Sequence, residues 1–127
     1  MDTVCLIIPP SPFLLDERVF VSLGILKVAA VLESKGHTVE VLDLSGVVNF
    51  EDAVADHAQV SSAAVFGLTA TTPQMPSAIR MARQIRPLRP DARLILGGPH
   101  ATLVHAAFKR EHAQDIHGRA TAAFERM

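Results

Sequence analysis

Leu94-Ile95-Leu96-Gly97-Gly98-Pro99-His100-Ala101-Thr102 is an apolar run that ends in two glycines, is turned by a proline and continues into a helix-compatible segment. A continuous apolar run of this kind reads as a strand buried on both faces, the mark of a parallel sheet. Glycines at the carboxyl end of such a strand carry no Cβ, so another group can come close to the backbone. In an open α/β sheet that edge is where ligands bind. The stretch gives the type of sheet and the side on which a ligand sits; other residues must say which ligand.

The segments around it repeat the strand–helix alternation. Val4-Cys5-Leu6-Ile7-Ile8, closed by Pro9-Pro10, reads as a buried first strand. The connection from Pro9 to Val21 is long for a link that typically takes about 2–6 residues, and long loops at this edge are more often functional than idle. Leu23, Ile25, Leu26, Val28, Ala29, Val31 and Leu32 place a nearly all-apolar helix between Ser22, a good N-cap, and Gly36, a good C′ residue. His37 reads as a turn residue just past it. Val39 to Asp43 is a second strand. Asn49 is expected to cap a short helix reaching His57, with Asp52 at the positive end of its dipole. Ala63 to Leu68 is a third strand, running into Thr69-Ala70-Thr71-Thr72. Pro73 to Arg86 is amphipathic, with Met75, Ala78, Ile79, Ala82 and Ile85 on its apolar face and Arg80, Arg83 and Arg86 on the other; Pro87 and Pro90 are expected to stop it. Arg93 to Leu96 is the fourth strand. From Ala101 onward the sequence is helical and polar, with no closing Val/Ile-rich run.

Alternating strands and helices predict an α/β fold, a flavodoxin-like (Rossmann-like) parallel sheet flanked by helices with right-handed crossovers. That arrangement normally has five strands. Four are legible, so the last strand is expected to be missing, the chain to be a fragment of a longer protein, and its C-terminal tail to be helical. The domain division drawn is 1–104 for the incomplete sheet domain and 105–127 for the helical segment. A sheet edge left bare by the missing strand invites pairing, so self-association as a homodimer, or cover by the tail, is expected there.

Composition excludes several function classes. Of 127 residues, 49% are hydrophobic and 20% charged, an ordinary globular balance, and the net charge of −1 gives no electrostatic case for nucleic acid or an anionic membrane. No apolar run approaches the roughly 18 residues of a membrane span, and Met1-Asp2 lacks the basic start of a signal peptide. The one cysteine, Cys5, excludes an internal disulfide and a three-cysteine iron–sulfur site, and it fits a reducing cytoplasm, where the domain is expected. Trp and Tyr are absent, so stacking falls to six Phe residues or to His.

Three loops should meet at the carboxyl edge: Pro9-Pro10-Ser11-Pro12, Leu68-Thr69-Ala70-Thr71-Thr72 and Gly97-Gly98-Pro99-His100. The middle loop brings hydroxyls and leads into a helix N-terminus, whose free N–H groups favour an anion. The last brings bare backbone. Together they describe a narrow slot lined by small residues and hydroxyls, suited to a flat or rod-like neutral-to-anionic ligand and poorly suited to charge-based catalysis. Plainer roles stand beside these. Gly97-Gly98 can serve a tight corner, Thr69 and Thr72 can cap a helix, and His100 can face solvent from the first helical turn. His105, His112 and His117 do not share a helical face and read as surface residues; no protein metal ligand is assigned. Cys5 reads as a small buried hydrophobe. Asp43 reads as a loop cap, because no Gly-x-Gly-x-x-Gly follows the first strand.

The order Pro9-Pro10, a long loop into Ser22-Leu23-Gly24, then Gly36-His37, Asp43, the Gly67-Leu68-Thr69-x-x-Thr72 loop and Gly97-Gly98-Pro99-His100-Ala101-Thr102 resembles the N-terminal cobalamin-binding domain of B12-binding radical SAM proteins. The resemblance covers roughly residues 1–104. It implies a Rossmann-like domain that holds cobalamin, with the nucleotide tail between the Thr69–Thr72 and Gly97-Gly98 loops and the corrin near Pro10 and His100. The implied cofactor-binding residues are Pro10, Ser11, Leu68, Thr69, Ala70, Thr72, Gly97, Gly98, Pro99 and His100. In the methionine synthase and mutase type, an Asp-x-His-x-x-Gly loop supplies a His to cobalt; here the loop reads Pro9-Pro10-Ser11-Pro12-Phe13-Leu14, without His. The resemblance therefore implies cobalamin bound base-off with no His from this loop. It also implies a C-terminal radical SAM domain as partner, carrying a [4Fe–4S] cluster and S-adenosylmethionine; the Cys-x-x-x-Cys-x-x-Cys motif for that cluster is absent here, so this chain alone is expected to be non-catalytic. A receiver domain of the same fold would need acids where Pro9-Pro10 and Thr69 stand. The alternative kept is a small flavodoxin-like enzyme or a nucleotide- or flavin-binding domain, for which only His100 is a placed acid or base.

Overall fold

The computed structural model describes residues 2–11 and 22–127. Its sheet is built from β1 (Thr3–Ile8), β2 (Thr38–Asp43), β3 (Val65–Thr69) and β4 (Arg93–Gly97), all parallel, in the order β2-β1-β3-β4. In register, Cys5 stands beside Glu40 on one side and Phe66 on the other, and Thr69 pairs with Gly97 at the carboxyl edge. β1 is interior, and Val4 through Ile8 are all buried. That is why the strand reads as an unbroken apolar run.

The period of two sends alternate β1 side chains to opposite faces. Val4, Leu6 and Ile8 meet Ile25 and Ala29 of α1 (Leu23–Ser34). Cys5 and Ile7, with Phe66 and Leu68 of β3, meet α2 (Phe50–Val60) and α3 (Met75–Leu88) through Phe50, Val54, Ala58, Ala78, Met81 and Ile85. Phe66, Ile7, Met81, Ile85 and Val54 are among the largest fully buried side chains, each stabilising the fold by roughly 1.5–3 kcal/mol relative to exposure. The two faces are covered unequally. Among the described residues, one helix covers the first face, over β1 and β2, whereas two helices cover the second.

Several local expectations are adjusted. The core seam of α3 is Ala78-Met81-Ile85, spaced three and four apart, so Met81 is buried while Ile79 is 44% exposed. Its start is a 3₁₀ turn, Thr72–Gln74, followed by the α-helix proper. Pro87 does not stop α3: it lies within the last turn, and the next rung, Arg89 N–H to Ile85 O at 2.8 Å, still forms. Ser22 and Asn49 occupy N-cap positions, yet neither side chain makes a capping bond. Gly36 follows α1 with φ 90°, the left-handed position for which a C′ glycine is suited. Asp43 Oδ1 accepts Ser45 N–H at 2.9 Å, the loop cap its position suggested.

After β4 the chain forms a hairpin of α4 (Pro99–Ala113) and α5 (Arg119–Arg126). Phe108 and Phe124 stack at 4.3 Å between centroids, and His105 stacks on Phe124 at 5.5 Å. The Glu111 carboxylate accepts N–H bonds from Gly118, Ala120 and Thr121 and the Thr121 hydroxyl, closing the hairpin. No described helix is long and apolar enough to cross a membrane.

Candidate cofactor-binding site

The three loops do converge. Ala70 N–H donates to Gly97 O at 3.2 Å, His100 N–H donates to Ala70 O at 3.0 Å, and Thr72 Oγ1 lies 2.9 Å from His100 Nδ1. Gln74 ties in the first loop: its Nε2 donates to Pro9 O at 2.8 Å and its Oε1 accepts Thr71 N–H at 2.9 Å. The loops after β1, β3 and β4 are thus one bonded unit.

Gly98 turns the corner with φ 91°, and a Cβ there would lie 2.5 Å from Thr69 Oγ1 and 2.8 Å from Ala70 N. Only glycine fits. At Gly97 a Cβ would meet nothing within 4 Å among the described residues, so that position faces the open space beside the strands. The open space is a groove of about 570 Å³ between α1 and the ends of β3 and β4. Among the described residues, α1 covers β1 and leaves the same face of the ends of β3 and β4 open. There the strands present Gly67, Thr69, Ile95 and Gly97, mostly small residues, and Ile95 is 50% exposed. Ile25 and Val28 form the facing apolar wall; Ser22, Ser45, Thr71 and Gln74 add polar groups. No charged side chain lines it among the described residues. The groove can bury a neutral or weakly polar rod and hydrogen-bond it; among the described residues it is lined by no acid or base.

Of the residues assigned from sequence, Leu68, Thr69, Gly97, Gly98 and Pro99 line this groove. Pro10 and Ser11 are buried, and Ala70 is fully buried with its backbone committed to the loops. Thr72 is exposed, and His100 borders a second depression, of about 580 Å³, together with Met75, Ile79, Leu94 and Met127. His100, in the first turn of α4, is half-buried and lies within hydrogen-bond distance of Thr72. The remainder of the long first loop, Pro12 to Val21, lies outside the described residues. His105 and His112 stack against phenylalanines, and His117 pairs with Glu125 at 3.3 Å.

Gln74, Ser45 and the α1 wall were not singled out in the sequence. Gln74 was findable, since Thr71-Thr72-Pro73-Gln74 has the Thr-x-x-Gln spacing of a helix start with proline in the first turn.

A four-stranded parallel sheet with a glycine-floored groove at its carboxyl edge defines a Rossmann-like α/β domain of the ligand-binding kind. The sequence profile of the B12 binding domain family matches residues 17–127, and the chain belongs to that family. Among solved structures, it is similar to the radical S-adenosylmethionine methyltransferase TsrM from Kitasatospora setae, determined with its tryptophan substrate and the SAM analogue aza-SAM bound. The likeness has a TM-score of 0.62 at 23% identity over 77% of this chain, and the chain spans 19% of that protein's chain. No curated protein sequence matches.

Proposed function

We propose that this domain holds cobalamin, with the cofactor's nucleotide tail in the groove between α1 and the ends of β3 and β4. The single observation that carries the reading is the groove's composition: a slot with an open glycine at Gly97, small residues along its floor, hydroxyls along its length and no charged side chain among the described residues. An apolar bicycle, a ribose and a phosphodiester need that mixture of close backbone, apolar wall and hydrogen-bonding groups. Gly97 and Gly67 let the tail approach the strands, Thr69 and Thr71 hydrogen-bond it, and Ile25 and Val28 exclude water from its apolar end. When bound, cobalamin supplies a cobalt centre that carries alkyl groups.

The first loop contains no histidine, and His100 Nδ1 is engaged by Thr72. Tail insertion therefore implies base-off cobalamin without a histidine from this chain's first loop. The family membership and the likeness to a radical SAM methyltransferase support a parent protein of that class, whose C-terminal domain holds a [4Fe–4S] cluster and S-adenosylmethionine. The single cysteine here cannot build such a cluster, so this chain contributes binding and orientation, not bond cleavage. The boundary drawn after residue 104 falls inside α4, and we place the cofactor domain on the sheet, α1–α3 and the first turns of α4.

The test is to mix the purified chain with hydroxocobalamin, desalt it and record the visible spectrum. Retained colour with a base-off spectrum is expected. A retained base-on spectrum would refute the inserted tail, and retention of flavin mononucleotide in place of cobalamin would favour a flavin domain.

A further inference from the structure

β2 is an outer strand, and its side chains beneath α2 ought to be apolar. Glu40 breaks that pattern. It stands beside Cys5 in the parallel register, on the face opposite the groove, and α2 places His57 over both. One ligand atom from each residue, a thiol sulfur, a carboxylate oxygen and an imidazole nitrogen, lies within 4.8 Å of the others.

Two details distinguish this cluster from a plain ion pair. His57 Nε2 is buried yet has no hydrogen-bond partner among the described residues; it lies 3.5 Å from Glu40 Oε1 without bonding it. That separation is close to the roughly 3.4 Å between two ligand atoms on a tetrahedral zinc with bonds of about 2.05 Å. Glu40 is also oriented from behind. Ser61 Oγ donates to Glu40 Oε1 at 2.5 Å and itself accepts Ala63 N–H at 3.0 Å, the kind of support that metal-bound carboxylates receive.

We propose that Cys5, Glu40 and His57 form a three-ligand site for a divalent transition metal, zinc by its ligand chemistry, with water completing the tetrahedron. Sulfur and imidazole ligands disfavour magnesium and calcium, which take oxygen. Binding forms the metal–sulfur bond and releases the thiol proton to solvent. The thiolate and carboxylate then balance the ion's two charges, leaving the imidazole neutral. Burial and the charge of Glu40 push the free thiol up to about 12, so the metal must displace a tightly held proton. The bound ion ties β1, the outer strand β2 and α2 into one unit. Its role is structural, and it is independent of the cobalamin groove.

The test is a cobalt(II) titration of the chelator-treated, cobalamin-free chain, with zinc as competitor. Expected are the intense visible bands of tetrahedral cobalt, a thiolate-to-cobalt charge-transfer band in the near ultraviolet, displacement of both by zinc, and a higher Tm with zinc. Cys5→Ser should abolish the charge-transfer band, and His57→Gln, on the partly exposed helix, should weaken binding by about tenfold or more with an unchanged far-ultraviolet spectrum. A weak octahedral spectrum in the native chain, or a His57→Gln chain that binds cobalt with native affinity and shows an undiminished zinc-induced Tm rise, overturns the proposal.

Discussion

Thr72 Oγ1 and His100 Nδ1 lie 2.9 Å apart, so the loop leaving β3 is pinned to the first turn of α4, which leaves β4. The two residues are 28 apart in sequence, and no other side-chain pair joins these loops among the bonds described. One hydrogen bond of this kind is worth about 0.5–1.5 kcal/mol, a factor of roughly 2–12 in any equilibrium it supports. Thr72→Val and His100→Ala should each leave the fold intact and weaken cobalamin retention by about that factor. Because both remove the same bond, the double variant should be little worse than either single one. Strictly additive losses, measured by spectral titration, would show that the pair does not act as a unit.

Gly97 and Gly98 are neighbours with opposite demands. Gly98→Ala puts a methyl group 2.5 Å from Thr69 Oγ1 and 2.8 Å from backbone nitrogen, at φ 91°, and should cost about 1–3 kcal/mol of stability. Gly97→Ala meets nothing among the described residues and should leave Tm nearly unchanged, but its methyl group enters the groove. Thermal melts paired with cobalamin titration separate them: the first variant loses stability, the second loses affinity. A Gly97→Ala chain with native affinity would move the ligand away from this strand end.

Much of this was legible before any coordinates. β1, β3 and β4 announce themselves because strands buried on both faces need continuous apolar residues, and the convergence of their loops follows from parallel topology. The seam of α3 was harder. Met81 and Ile79 are both apolar, and only packing against Ile7 and Phe66 from below decides that Met81 enters the core. Arg89 was invisible as an organiser for another reason: its partners are backbone carbonyls of distant segments, which leave no trace in side-chain pattern, and only the local half of Gln74's role, its bond to Thr71, shows in spacing. The groove itself arises from where α1 does not reach, and a sequence does not display uncovered surface.

Arg89 illustrates that last kind of contact. Its guanidinium donates to Ser61 O and Ala63 O, both at 2.7 Å, and lies 5.5 Å over the Phe66 ring. It thereby satisfies carbonyls where α2 ends and the chain enters β3. Arg89→Met keeps the apolar stem but strands these acceptors, and should destabilise the domain by about 2–3 kcal/mol. Arg89→Lys should recover only part, since an ammonium cannot span both carbonyls with a planar fork. Urea unfolding of the three proteins checks the order; a Met variant as stable as the native chain would remove Arg89 from the fold's supports.

Cys5 is enclosed between β1 and its neighbours, and burial, with the charge of Glu40, pushes its thiol up to about 12. Only the thiolate is nucleophilic, so at neutral pH the native metal-free chain should scarcely react with a disulfide reagent. Against an ordinary thiol near 8.5, the thiolate fraction falls by about three orders of magnitude. Stopped mixing with the reagent should give a single slow phase that matches global opening, and urea should release full reactivity. Rapid labelling of the folded chain would contradict both the burial and the raised thiol.

Glu111 governs the C-terminal hairpin. Its carboxylate accepts the Thr121 hydroxyl and the N–H groups of Thr121, Ala120 and Gly118, and these bonds lower its pKa below the ordinary 4.5, with the Thr121 hydroxyl the largest cause. A carboxyl depressed in the folded hairpin contributes order that is fully present above its unfolded value and is lost as pH falls through the folded one. The hairpin should therefore be intact at neutral pH and loosen in acid, below the ordinary carboxylate range, with the stack of Phe108 on Phe124 opening as it does. Glu111→Gln places an amide donor among four donors and should loosen α5 already at neutral pH, removing the acid dependence. Amide exchange at Ala120 and Thr121, with ring-current shifts of Phe124, reads both effects. Equal protection of those amides in the native and Gln chains at pH 7 would show that ring stacking alone holds α5 in place.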